Sequence, residues 1–177
     1  NTHTHTHQPN RYKKTVLFFN YDEGGQFFDH VLPPTPAMNV NDGKSTVTTD
    51  GELTIKEQFN IPAGHPIGLG WRVPFFIVSP WTRGDNVYSE VADHTSTIQF
   101  IEKRFGVRCP NISPWRRAVT SDLVSAFDFE NPDYSWPSSF PSTKNNVNAS
   151  KEQCDNNPPP TVPTTQHMPK QKPGVKI

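Results

Sequence analysis

The segment that most constrains this chain is Thr15-Val16-Leu17-Phe18-Phe19-Asn20, an apolar run of strand length without polar alternation. Such runs suit a strand covered on both faces, as in a parallel sheet. The run ends at Tyr21-Asp22-Glu23, and Gly24-Gly25 follow at once. An acidic pair at the carboxyl end of a buried strand stands where open α/β sheets gather their ligand groups. A second buried strand is expected over Arg72 to Ser79, centred on Phe75-Phe76-Ile77-Val78, with Gly68-Leu69-Gly70 before it and Pro80 ending it. Between the two, Pro33, Pro34 and Pro36 forbid helix or central strand, and Asn41-Asp42-Gly43 and Asp50-Gly51 read as turns. Residues 33–66 are therefore expected to form a surface insertion bordering the site. A helix follows the second strand: Asp93 is its N-cap, Ile98, Ile101 and Phe105 its apolar positions, and Gly106 its stop. A shorter helix is expected from Ser121 through Leu123, Val124 and Phe127, preceded by Trp115-Arg116-Arg117. The order is that of an α/β fold, with only part of a sheet present.

Nineteen of the 177 residues are proline, and mean hydropathy is −0.70. The core must therefore come from a subset of the chain. Three regions are expected: a flexible segment at 1–14, the structured part at 15–130, and an extended Pro/Ser/Asn-rich tail at 131–177. Acidic and basic residues balance at 17 each, and no basic run interleaved with aromatics offers the footprint nucleic acid requires. No stretch reaches the ~20 apolar residues that cross a bilayer, and the opening residues lack the basic-then-apolar character of an export signal. His3, His5 and His7 alternate with threonines, a pattern that suits a metal-binding tract or simply a flexible terminus. Cys109 and Cys154 have neither zinc-site nor redox-pair spacing, which leaves a disulfide between them open in an oxidising compartment. The sequons at Asn111-Ile112-Ser113 and Asn148-Ala149-Ser150 lean weakly toward export.

Two clusters carry candidate chemistry. Asp22, Glu23, Asp29 and His30 put three carboxylates and an imidazole in one short segment. Hard oxygen donors of this kind suit calcium, magnesium or manganese, and the added histidine admits zinc or iron. A solvated acidic turn fits the same letters. The second cluster is Asp93-His94-Thr95-Ser96 at a helix start, where free backbone N–H groups attract anions and histidine serves metal or phosphate. Taken alone it reads first as an ordinary capped helix. Both clusters follow buried strands, so a sheet setting those strands side by side brings them together. Arg72, Arg83, Arg116 and Arg117 are candidate phosphate contacts, although such arginines more often pair with scaffold carboxylates. No nucleophile elbow, P-loop or dinucleotide glycine fingerprint occurs.

The segment Thr-Val-Leu-Phe-Phe-Asn-Tyr-Asp-Glu-Gly-Gly-Gln-Phe-Phe-Asp-His-Val at 15–31 resembles the second metal-site motif of the phosphoesterase family that contains bacterial phospholipases C and related acid phosphatases. Gly68 to Pro74, Ser79 to Gly84 and Asp93 to Ser96 are similar to the segments that follow it in that family. Asn111 to Arg117, with Asp122-Leu123 and Ala126-Phe127-Asp128-Phe129, resembles the phosphocholine-preferring phospholipase C branch. The likeness extends to about residue 174, through Pro158-Pro159-Pro160 and Gln166-His167-Met168-Pro169.

The resemblance implies a partial alkaline-phosphatase-like α/β/α sandwich with long loops. It implies a divalent metal ion of unspecified identity held by Asp22 and Glu23, with His30 and His94 as catalytic residues in or beside the phosphate pocket. It further implies a phospholipid substrate at a membrane surface and a secreted or periplasmic location. The reaction expected is hydrolysis of phosphatidylcholine-type diesters to diacylglycerol and phosphocholine. An acid phosphatase of the same family, or a truncated lipid- or partner-binding module, is the alternative. The family continues its acidic pair with Asn-Asp-Gly, whereas this chain has Gly24, Gly25 and Gln26. The family's Glu-Asn metal motif and its hydroxyl nucleophile have no counterpart before residue 15. The chain is thus expected to be a carboxyl-terminal fragment of the catalytic domain, inactive alone.

Overall fold

A computed structural model of the chain describes residues 9–25, 31–39, 41–57, 60–84, 86–135, 139–158 and 165. The chain forms two compact units, one comprising Asn1–Tyr134 with Pro169–Ile177 and the other Ser135–Met168. In the first unit the order is α1 (Pro9–Tyr12), β1 (Leu17–Asn20), β2 (Phe75–Val78), α2 (His94–Phe105), α3 (Pro114–Val119) and a 3-10 turn at Val124–Ala126. The second unit contains α4 (Lys144–Asn156). The class is mixed α/β.

The strands form where the apolar runs predict them, but they pair antiparallel, with Phe18 opposite Ile77 and Phe19 opposite Phe76. This corrects the parallel reading: an unbroken apolar run specifies that a strand is greasy on both faces, not which way its neighbour runs. One face of the pair is packed. There Phe18 stacks on Phe75 with centroids 5.9 Å apart and meets Phe100 of α2 edge-on at 5.2 Å. Phe127 continues the cluster against Phe100 at 5.0 Å and Phe129 at 5.1 Å. The opposite face leaves Phe19 and Phe76 more than half exposed, at 54% and 55%. Burial therefore alternates along β2 although its hydrophobicity does not.

Helix α2 starts and stops on local chemistry. The Asp93 side chain accepts from the amides of Thr95 and Ser96, while the Ser96 hydroxyl accepts from the Asp93 amide, a reciprocal capping box. Gly106 ends the helix in the left-handed conformation at φ 67°. Helix α3 occupies the Trp115-Arg116-Arg117 segment that precedes the expected helix, because Ser113 caps it and Pro114 suits its first turn. The helix expected from Ser121 contracts to the 3-10 turn, since Leu123 sits at φ 64°, outside helical space. Leu123 is nonetheless among the most deeply buried residues, at 2% exposure, beside a core that includes Ile112, Trp115 and Phe127.

Two ion pairs anchor the carboxyl half of α2. Lys103 pairs with Asp122, and Arg117 grips Glu102 with both nitrogens of its fork at 2.7 and 2.8 Å. The Arg117 hydrogen bonds, helped by the Cys109 amide, hold the Glu102 carboxyl down at about 2 against its usual 4.5. A depressed folded pKa contributes stability that is complete above the unfolded value and disappears as pH falls through the folded one. The urea midpoint is therefore expected to drop between pH 4.5 and about 2, and Glu102→Gln to flatten that drop. Superimposable pH curves for the two chains would refute this.

The region 131–177 differs from an uninterrupted extended tail, because α4 occupies Lys144–Asn156. The helix has no buried residue and thus no apolar stripe to announce it. The stretch is nevertheless free of proline between Pro141 and Pro158, which permits the backbone ladder. Cys109 is a half-buried free thiol and Cys154 an exposed one. Among the described residues no helix is long and apolar enough to cross a membrane.

Candidate active-site corner

The acidic pair follows β1 directly. Tyr21 prolongs the pairing by donating its amide to the Pro74 carbonyl at 3.2 Å, and the chain turns away at Asp22. Asp22 Oδ1 accepts from the Glu23 amide at 3.1 Å, and both carboxylates face solvent. Gly24 lies against the second strand's approach, where a Cβ would come within 2.9 Å of the Arg72 carbonyl oxygen. A side chain at position 24 would therefore force a shift of the backbone. Gly24→Ala is expected to push the acidic turn off the Arg72 backbone at a cost of about 1–3 kcal/mol. An unfolding midpoint equal to that of the natural chain would contradict the close approach.

The second cluster reaches the first. Nε2 of His94, the first residue of α2, lies 3.1 Å from the Tyr21 carbonyl oxygen, immediately before Asp22. A carbonyl only accepts, so the ring nitrogen in this bond is the protonated one. The hydroxyls of the next two residues are both engaged in the cap: Thr95 Oγ1 donates to Asp93 Oδ1 at 2.6 Å, and Ser96 Oγ accepts from the Asp93 amide at 3.0 Å. Asp29 and His30 lie outside the described residues, as do His3, His5 and His7.

The donor chemistry of Asp22 and Glu23 fits a hard divalent cation as part of a coordination shell. Among the described residues, however, no three His, Cys, Asp or Glu side chains converge into a set that holds a metal.

The candidate phosphate arginines are occupied. Arg117 is committed to Glu102, and Arg83 faces Asp133 at 3.4 Å. Arg72 also has an interaction partner. Arg116 is the hub of a network that sequence reasoning missed. Its Nε and Nη2 donate to Glu52 at 2.9 and 2.8 Å, its Nη1 donates to Asp93 at 2.6 Å, and Nη2 also donates to the Gly68 carbonyl at 3.0 Å. Burial works against the charged guanidinium, but the hydrogen bonds and charges of Glu52 and Asp93 outweigh it and raise its pKa above the ordinary arginine value. Glu52 comes from the proline-interrupted excursion, which doubles back through a Leu53–Pro66 bridge and an Ile67 amide bond to the Glu52 carbonyl at 2.7 Å. The excursion thus borders the helix start that carries His94. Glu52 stands between a glycine and a leucine with no motif around it, and no local signal marks it.

A cleft of about 510 Å³ has Met38, Asp42, Lys44 and Trp115 in its walls.

Residues 2–108 match the Phosphoesterase family. The chain is 46% identical over 175 residues to the non-hemolytic phospholipase C of Burkholderia pseudomallei, covering 97% of this chain and 24% of that protein. It is 50% identical over 125 residues to the hemolytic phospholipase C of Pseudomonas aeruginosa, covering 71% of this chain and 16% of the relative. Phospholipase C B of Mycobacterium tuberculosis is 43% identical over 129 residues, 70% of this chain and 23% of that protein. The chain therefore spans a quarter or less of the length of these relatives. With a family match over more than half its residues and the acidic turn and capped histidine both inside the matched region, the chain belongs to the Phosphoesterase family.

Proposed function

We propose that this chain is part of a phospholipase C that hydrolyses phosphatidylcholine-type phosphodiesters at a membrane surface. In that reaction the bond from phosphorus to the glycerol oxygen breaks, the oxygen of water ends on phosphorus, and a proton reaches the departing alkoxide. Diacylglycerol and phosphocholine result. The observation carrying the proposal is the 3.1 Å approach of His94 Nε2 to the Tyr21 carbonyl, which sets an imidazole beside the Asp22-Glu23 turn.

Asp22 and Glu23 would hold a divalent cation together with ligands from outside the described residues. Such an ion neutralises phosphoryl oxygens and lowers the pKa of an attacking hydroxyl. His94, and His30 from the same segment as the acidic pair, are assigned to proton transfer and phosphoryl contact. The Thr95 and Ser96 hydroxyls, next to His94 in the chain, are engaged in the helix cap. The 177-residue chain is accordingly expected to bind and orient without turnover. An α/β/α sandwich and an exported location, secreted or periplasmic, belong to the same proposal; recovery of the protein solely from the cytoplasmic fraction would contradict export.

The test is phosphocholine release from phosphatidylcholine vesicles by a polypeptide that joins these residues to the remainder of a phospholipase C catalytic domain. Turnover abolished by Asp22→Ala supports the assignment. Turnover unchanged by that substitution rejects it, and phosphocholine release by the 177-residue chain alone rejects the expected inactivity.

A further inference from the structure

The side chains behind His94 form a continuous brace. Glu52 is only 4% exposed and receives two guanidinium hydrogen bonds from Arg116, itself 18% exposed. Ser113 adds its hydroxyl to Glu52 Oε1 at 2.6 Å. Arg116 then fixes Oδ2 of Asp93, while Oδ1 of the same carboxylate caps α2 through the Thr95 and Ser96 amides at 2.9 and 3.2 Å. One carboxylate is thus held from both sides, which locks its rotamer and the first turn of the helix. His94 is the next residue along the chain, and its ring ends at the Tyr21 carbonyl.

We infer that Arg116, braced by Glu52, is a positioning residue for His94. It aims the imidazole across to the Asp22-Glu23 turn, with Nε2 bonded to the Tyr21 carbonyl. The capping box alone would form an ordinary helix start. The buried ion pair adds a tether to the excursion and to Gly68, and so to the body of the unit. Outer partners of this kind orient the side chains that act, and their removal costs function without removing the acting group. The inference rests on the reading of His94 as a reaction-site residue, but its test does not depend on turnover.

The test is NMR of the 177-residue chain, following nuclear Overhauser contacts between the His94 ring and the backbone protons of Tyr21 and Asp22. Glu52→Gln, Arg116→Lys and Asp93→Asn are compared with Arg117→Lys, which weakens an ion pair on the carboxyl half of α2. Asp93→Asn is the safeguard, because asparagine caps as well as aspartate. The three brace variants are expected to lose at least severalfold in the intensity of those contacts while the helical contacts within α2 persist. Arg117→Lys is expected to keep them. Undiminished His94 contacts in a folded Asp93→Asn or Glu52→Gln chain overturn the inference. An equal loss in Arg117→Lys does so too, since the effect would then be general loosening. Failure of metal uptake at Asp22 and Glu23 would remove the proposed role of the corner and leave this geometric result standing.

Discussion

Arg116→Ala is expected to destabilise the first unit by about 3–5 kcal/mol, the cost of removing one partner from a buried ion pair. Among the described residues Glu52, 4% exposed, would keep only its Ser113 hydroxyl bond, and the Asp93 carboxylate would lose its guanidinium contact as well. Arg83→Ala is the natural comparison. Arg83 and Asp133 are 32% and 49% exposed and 3.4 Å apart, and pairs of that kind contribute about 0–1 kcal/mol. Urea denaturation of the two variants separates the cases. A difference of less than about 1 kcal/mol between them would mean that the Glu52 pocket admits water freely and that the network is not the anchor described above.

The second large effect is on ion binding. Asp22→Ala and Glu23→Ala are each expected to weaken divalent-cation binding by at least about 100-fold, the upper end of what loss of an outer partner alone produces. Both side chains face solvent, and the Asp22 carboxylate accepts from the neighbouring Glu23 amide. Their removal should therefore change folding stability by no more than about 0.5 kcal/mol. Manganese titration by calorimetry reads the affinity, and denaturation reads the fold. Unchanged affinity in both variants would reduce the acidic pair to a solvated turn, the plain alternative that the letters alone leave open.

The parts of this molecule legible in its sequence are those written by short-range chemistry. Asp93 and Gly106 bound α2 because capping involves only residues two to four positions away. The two strands are legible for the same reason: each run is long enough to span a sheet and is stopped by turn residues. Strand direction is not encoded in the runs, so the antiparallel register of Phe18 with Ile77 emerges only in the fold. The Arg116–Glu52 pair joins residues 64 positions apart, beyond any periodicity. Helix α4 escapes because an exposed helix without an apolar face leaves no pattern to read. At the candidate site, the expectation that the two acidic-histidine clusters meet is answered on one side, by His94 at the Tyr21 carbonyl. The other side, Asp29 and His30, lies outside the described residues.

The proposal stands on the Asp22-Glu23 turn being one corner of an ion site completed by ligands from outside the described residues, with His94 held beside that turn by the Tyr21 carbonyl. Manganese added to the isotopically labelled 177-residue chain tests it most directly, because the paramagnetic ion broadens only nuclei close to where it binds. The amides of Asp22 and Glu23 and the ring of His94 are expected to broaden together at the lowest additions, while His65, in the excursion, stays sharp. Broadening of Asp22 and Glu23 with His94 untouched, or broadening that begins elsewhere, would contradict it.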